Sequence, residues 1–264
     1  MILCADDYGL RDDINRAILE LVHAGSLSAV SCLVVLERCT PAALAELCAQ
    51  GSRVDIGLHL CLTDERLPLS ALVPPTSGSR ALPTFGNLLR RALLGRVRPA
   101  DIAAEVAGQY ALFVQKCGRK PDYIDGHLHV HQLPGVRDGL LQFVHSLARE
   151  KRPYLRNTAL PVRELRRRDL PWLKAGCIGS FGARFVSELR AGGLPTNEGF
   201  AGIYDFKNWR QYERYFPRFV ECLTHPNSIL VVHPGQGEEW RAQEFKVLRE
   251  FRFAAGQPNR FSRE

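Results

Sequence analysis

The stretch MILCADDYGLRDDINRAILELVHAGSLSAVSCLVVL, residues 1–36, decides the fold class. It opens on a short apolar run, Met1–Ala5, that ends at Asp6-Asp7. Arg11–His23 then sets Ile14, Ile18, Leu21 and Val22 on one face at helical spacing. Gly25 closes that helix, because glycine takes the left-handed conformation of a C-terminal cap without steric cost. Ser28–Leu36 is a second apolar run and reads as a buried strand. Strand, helix and strand in this order are the unit of a parallel sheet with helices packed outside it.

The alternation continues to the end of the chain. A helix over Pro41–Ala49, with proline in its first turn, leads to a strand over Arg53–Thr63, where Val54, Ile56, Leu58 and Leu60 alternate with Asp55, Gly57, His59 and Cys61. Leu67–Leu88 is rich in Pro, Ser and Gly and reads as a long loop. A helix over Pro99–Lys116, a strand over Asp122–Val130, a helix over Val136–Arg149 and a short fifth strand from Tyr154 follow. Pro161–Gly199 holds helical pieces and several glycines. A helix over Asn208–Thr224 precedes a last strand, Ser228–His233, and a helix over Glu238–Phe251. An open doubly wound sheet and a closed barrel both fit this order. No G-x-G-x-x-G follows the first strand, which removes the best reason for a dinucleotide-binding fold. With no internal repeat and no dividing linker, residues 1–264 are expected to form a single domain with a helical C-terminal extension from about residue 238.

Composition narrows the function classes. At 45% hydrophobic and 24% charged residues, the chain is neither disordered nor fibrous. No apolar run approaches the roughly 18 residues of a membrane span. Met1 leads directly into the first strand without a basic leader, so the cytoplasm is the expected compartment. The net charge of +7 invites a nucleic-acid hypothesis, but the basic residues are dispersed. The densest run, Arg163–Asp169, contains acids and reads as a solvated helix face, although anionic ligands or surfaces remain favoured by the charge. The eight cysteines include no Cys-x-x-Cys pair, which argues against a structural zinc site, and they are expected to be reduced.

In barrels, chemistry sits where strands end. Four strand ends here carry acids or imidazoles: Asp6-Asp7, His59, the run Asp125-Gly126-His127-Leu128-His129-Val130-His131, and His233. Five of the eight histidines lie in these places. On a continued strand, His127, His129 and His131 would share one face and converge on one cavity. Burying so many imidazoles without a metal or polar partners is costly, which points to a metal site. Two imidazoles and a carboxylate suit zinc, and magnesium is the harder alternative. Asp6 and Asp7 can share the site only if the backbone turns, a freedom that Tyr8-Gly9 supplies. One carboxylate would then hold the metal while the other takes a proton from water.

These segments, with Gly57-Leu58-His59-Leu60 and Val232-His233-Pro234-Gly235, resemble in order the motifs of the YdjC-like carbohydrate deacetylases, a family that includes chitooligosaccharide and hopanoid-associated deacetylases. The resemblance runs from residue 5 to about 235. It implies a distorted (β/α) barrel related to the polysaccharide deacetylases, and removal of acetyl from an N-acetylated sugar or oligosaccharide. It further implies one divalent ion, Mg2+ or Zn2+, on Asp7, His59 and His127, with Asp6 as base and His233 as acid. Arg156 matches a family arginine that orients or stabilises a carboxylate. The family commonly has histidine where Leu128 stands and phenylalanine where Tyr8 stands.

Asp125, His129, His131 and Tyr8 are candidates for substrate contact or for support behind the ligands, and Phe85, Phe181, Phe200 and Tyr204 for a sugar face. No nucleophile elbow is present, because Gly179-Ser180-Phe181-Gly182 lacks its spacing. The competing expectations are another barrel metal hydrolase (an amidohydrolase or phosphoesterase) and a non-catalytic binder of anionic polymers. An amidohydrolase would carry His-x-His on its first strand, where this chain has Asp-Asp. A homodimer is left open.

Overall fold

The computed structural model describes residues 1–50, 53–63, 82–159 and 172–251. Its seven strands are β1 (Ile2–Tyr8), β2 (Ala29–Cys32), β3 (Asp55–Leu60), β4 (Tyr123–Gly126), β5 (Tyr154–Leu155), β6 (Gly199–Ala201) and β7 (Ser228–Val232). All pairings are parallel, in the order β5-β4-β3-β2-β1-β7-β6. The sheet curls until its edges approach. The Leu155 amide donates to Pro195 O (3.0 Å), and Asn157 and Asn197 exchange hydrogen bonds of 2.8–3.0 Å between side-chain amides and backbone. A carboxamide carries the same donor and acceptor as a peptide group, so these side chains stand in for a ladder across the seam. The result is a curled half-barrel, the distorted barrel expected from the motifs rather than an open doubly wound sheet.

Alternation along the strands sorts side chains into an interior and an outer layer. Ile2 and Cys4 of β1 pack inside with Ala29, Tyr123, Tyr154, Phe200, Ile229 and Val231. Leu3 and Ala5 face outward among Ile14, Ile18, Val30 and Leu230. The outer layer is sealed by α1 (Asp12–His23), α2 (Pro41–Cys48), α4 (Pro99–Cys117), α5 (Val136–Ser146), α6 (Trp172–Ala191), α7 (Tyr212–Cys222) and α8 (Glu239–Glu250), while α3 (Phe85–Leu93) packs in a separate cluster with Leu62, Val130, Leu133 and Val136. In β3 the interior position before His59 is Gly57, and a Cβ there would lie 2.3 Å from the Tyr123 ring. Glycine therefore makes room for the aromatic ring that fills the barrel floor. No helix among the described residues is long and apolar enough to cross a membrane.

Several expectations from the sequence are corrected. The second strand is Ala29–Cys32 rather than Ser28–Leu36, and the chain turns at once, with the Leu33 amide donating to Tyr8 O (2.8 Å). The fourth strand stops at Gly126, and His127–Gln132 is a tight 3-10 turn with Leu128 and His129 at φ 54° and 58°. The three histidines therefore do not share a strand face. Gly126 permits the change, since a Cβ there would lie 2.9 Å from the His131 ring as the turn folds back. Thr84 caps α3, accepting from the Asn87 amide (3.3 Å), so the end of the expected Leu67–Leu88 loop is helical; residues 67–81 lie outside the described residues, as does the Arg163–Asp169 run. The helix expected over Asn208–Thr224 is a 3-10 turn, Phe206–Gln211, followed by α7.

Candidate metal centre and active site

The parity that sends Ile2 and Cys4 inward sends Asp6 inward as well, and the same count places His59, Asp125, Arg156 and His233 at the top of the barrel interior, each two residues beyond an interior residue. Asp7 should by this count face the helices. A bulge reverses it: the register between β1 and β2 slips between Ala5 and Tyr8, and Asp7 adopts φ 72°. A left-handed residue in a bulge re-aims its side chain, a conformation that aspartate tolerates better than most. The turn that brings both aspartates together is thus made at Asp7 itself, not at Tyr8-Gly9.

Asp7 Oδ1 lies 2.9 Å from His127 Nδ1 and 3.7 Å from His59 Nε2. One ligand atom from each of Asp7, His59 and His127 falls within 4.8 Å of the others. His59 Nδ1 donates to Asp125 Oδ1 (2.5 Å), whose Oδ2 accepts from Ser31 Oγ (2.6 Å). That carboxylate fixes the tautomer and leaves Nε2 directed at Asp7. Asp6 is gripped by both arms of Arg156, Nη1 to Oδ1 (2.7 Å) and Nη2 to Oδ2 (2.9 Å), and Nη1 also reaches Asp125 Oδ2 (2.9 Å). Arg156 is fully buried. Burial alone would raise both aspartates, but Arg156 with His59 holds Asp6, and His127 with Arg241 holds Asp7, well below the usual carboxylate range.

His233 Nε2 stands 4.0 Å from Asp6 Oδ2. Burial, reinforced by Arg241 and Arg156 and opposed by the two aspartates, lowers its imidazole to about 4, so it is neutral at pH 7. His129 borders the same cavity, with its ring edge-on to Phe200 and its Nδ1 without a protein partner. His131 is placed elsewhere: it donates through Nε2 to Arg156 O (2.8 Å) and supports the arginine from behind. Tyr8 is buried in the outer layer, its hydroxyl donating to Ala43 O (2.8 Å), and does not line the cavity.

Sequence reasoning missed the contribution of α8. Arg241, Glu244, Phe245 and Leu248 occupy its inward face, and charged residues at core-facing helical positions are the signal that could have revealed it. Arg241 Nη2 donates to Asp7 Oδ2 (2.7 Å). Glu244 accepts from the His233 backbone amide (2.5 Å) and from the Tyr204 hydroxyl (2.7 Å). Burial raises its carboxyl to about 7 against these opposing contacts. A carboxyl raised in the fold stays protonated while the unfolded chain ionises near 4.5, so stability falls as pH rises from 4.5 to about 7. Glu244→Gln removes that loss. Urea unfolding should show the variant gaining up to about 3 kcal/mol on wild type across this interval, and a difference independent of pH contradicts the assignment.

The cluster forms the floor of a cavity of about 660 Å3. Its walls are mostly apolar and include Phe85, Leu89, Phe181, Tyr204, Phe206 and Trp240. Of the aromatic candidates, expected in loops, Phe85 sits on α3, Phe181 on α6 and Phe200 on β6. Phe206 and Trp240 stack at 4.3 Å between ring centres beside His233.

Known proteins agree with this architecture. A chitooligosaccharide deacetylase of Yersinia enterocolitica is 32% identical over 55% of this chain and 55% of its own length. One of Yersinia pestis is 32% identical over 68% of this chain and 69% of its own. The match thus spans about half of the first relative and about two thirds of the second. A crystal structure from Enterococcus faecalis, named for cellobiose-phosphate cleavage, superposes with a TM-score of 0.66 at 19% identity, covering 94% of this chain and 89% of that one, and shares the fold. The profile of the YdjC-like protein family matches residues 1–256, and the chain belongs to that family.

Proposed function

We propose that the chain is a metal-dependent hydrolase that removes the N-acetyl group from an acetylated amino sugar or oligosaccharide. The observation that carries this reading is the convergence of Asp7, His59 and His127 on one point beside a second carboxylate, Asp6, that is held apart by Arg156. The deacetylase names of the Yersinia relatives supply the substrate class.

The donor set fits a divalent cation. One carboxylate and two imidazoles suit zinc better than magnesium, which favours oxygen ligands, and Asp125 behind His59 is the kind of partner that orients a ligating histidine. When bound by Asp7, His59 and His127, such an ion lowers the pKa of water from 15.7 towards about 7 and polarises the amide carbonyl. Arg241 keeps the Asp7 carboxylate turned to its partners. Arg156 keeps Asp6 ionised, and Asp6 takes the proton of the attacking water. His233 is neutral until that proton reaches it from Asp6 Oδ2, and Nε2 then hands it to the departing sugar amine. The aromatic walls exclude bulk water and offer faces on which sugar rings stack.

The test is acetate release from short N-acetylglucosamine oligomers by the purified chain. Turnover should stop on chelation and return when zinc or magnesium is restored; release that survives complete chelation would sink the reading.

A further inference from the structure

The net positive charge is not consumed by the chemistry above, and one surface concentrates it. From Phe85 to Arg98 the sequence FGNLLRRALLGRVR carries four arginines and no acid. Helix α3 within it has two apolar faces. Leu88 and Ala92 point down into a cluster with Leu62, Val130, Leu133 and Val136. Phe85, Leu89 and Leu93, spaced by four, form the other face, and the first two border the catalytic cavity. Leu93 and Leu94 are 63% and 56% exposed, and Leu128, across the cavity mouth, is 50% exposed.

The cap of α3 fixes this display. Gly95 at φ 65° ends the helix, with the Gly95 amide donating to Ala92 O (3.1 Å) and the Arg96 amide to Arg91 O (2.8 Å). Val97 then tucks against Gly135, while Leu93 and Leu94 stay outside. Arg90, Arg96 and Arg98 are exposed around them. Arg90 holds Asn87, and Arg98 faces Asp101 at 3.7 Å. Two adjacent exposed leucines beside three exposed guanidinium groups, of which Arg98 faces Asp101, are poorly suited to water and complementary to a layer that is anionic at its surface and apolar beneath.

We propose that the C-terminal end of α3 docks the protein on an anionic lipid surface, with Leu93 and Leu94 entering the acyl boundary and the arginines engaging headgroup phosphates. The cavity mouth, bordered by Phe85, Leu89 and Leu128, then opens beside that surface. This surface does not depend on the deacetylase reading, and its test needs no turnover.

The full chain is sedimented with phosphatidylcholine vesicles, with and without phosphatidylglycerol, at low and high salt. Wild type should bind the anionic vesicles, bind the neutral ones far more weakly, and be released by salt. Leu93→Glu/Leu94→Glu and, separately, Arg90→Glu/Arg96→Glu should each lower partitioning by about tenfold or more at unchanged melting temperature, because all four side chains are exposed. Wild type that stays in the supernatant with anionic vesicles, or a leucine double variant that sediments like wild type, overturns the proposal. So does light scattering showing that the leucines hold two copies of the chain together while vesicles go unbound.

Discussion

Replacing Asp6 with asparagine should reduce acetate release by about 10^3-fold while leaving the fold and the bound cation in place. An amide of the same shape cannot take up the proton that the attacking water must lose. The substitution spares the rest of the cluster for identifiable reasons. Asp125 still pairs with Arg156 Nη1 at 2.9 Å, so the buried guanidinium keeps one anionic partner. Asp125 also still fixes the His59 ring, and Asp7 keeps its inward direction because the β1 bulge sets it. Initial rates on an N-acetylglucosamine oligomer, with metal content measured on the same preparation, check this. A variant with its cation and full rate would remove Asp6 from the role of base. A variant without cation would place Asp6 among the ligands.

The strands β1, β3, β4 and β7 could be read from the sequence because each is an apolar run that leads into an acid or an imidazole, although β4 was read four residues too long, and the side-chain period of two fixes which of these face inward. Asp6, His59, Asp125 and His233 are therefore legible, and a parallel sheet with them, whereas its curl into a barrel was implied by the family resemblance alone. Asp7 and His127 are not explained by the same rule. The first reaches the site through a left-handed residue in a bulge, the second through a 3-10 turn that begins where the strand ends. Both are local departures from strand geometry that periodicity does not encode; the resemblance named these two residues without the geometry that brings them to the cavity. The same turn carries His131 away to Arg156 and leaves His129 at the cavity. Arg241 and Glu244 were hidden for another reason. Their helix follows the last strand and looks like an appendage, and only three-dimensional packing brings its inward face against Asp7 and His233.

A buried network of this density is costly unless every charge has its partner. Asp6, Asp125 and Arg156 satisfy one another at 2.7–2.9 Å, and Arg241 balances Asp7 at 2.7 Å. His59 Nε2 lies 3.7 Å from Asp7 Oδ1, beyond a hydrogen bond but suited to two ligands of one ion.

His59→Ala should therefore lose the cation and, with it, nearly all turnover. The variant removes one of three ligands and leaves Asp125 without its imidazole partner, so His127→Ala serves as a companion: His127 is partly exposed and lies outside the barrel floor, and its removal should weaken metal binding at small cost to the fold. The decisive measurement is elemental analysis of wild type and both variants after identical purification. Wild type should carry about one equivalent of zinc or magnesium per chain, and both variants, folded by circular dichroism, should carry about a tenth or less. Equal metal content in wild type and variants would contradict a cation site built from Asp7, His59 and His127.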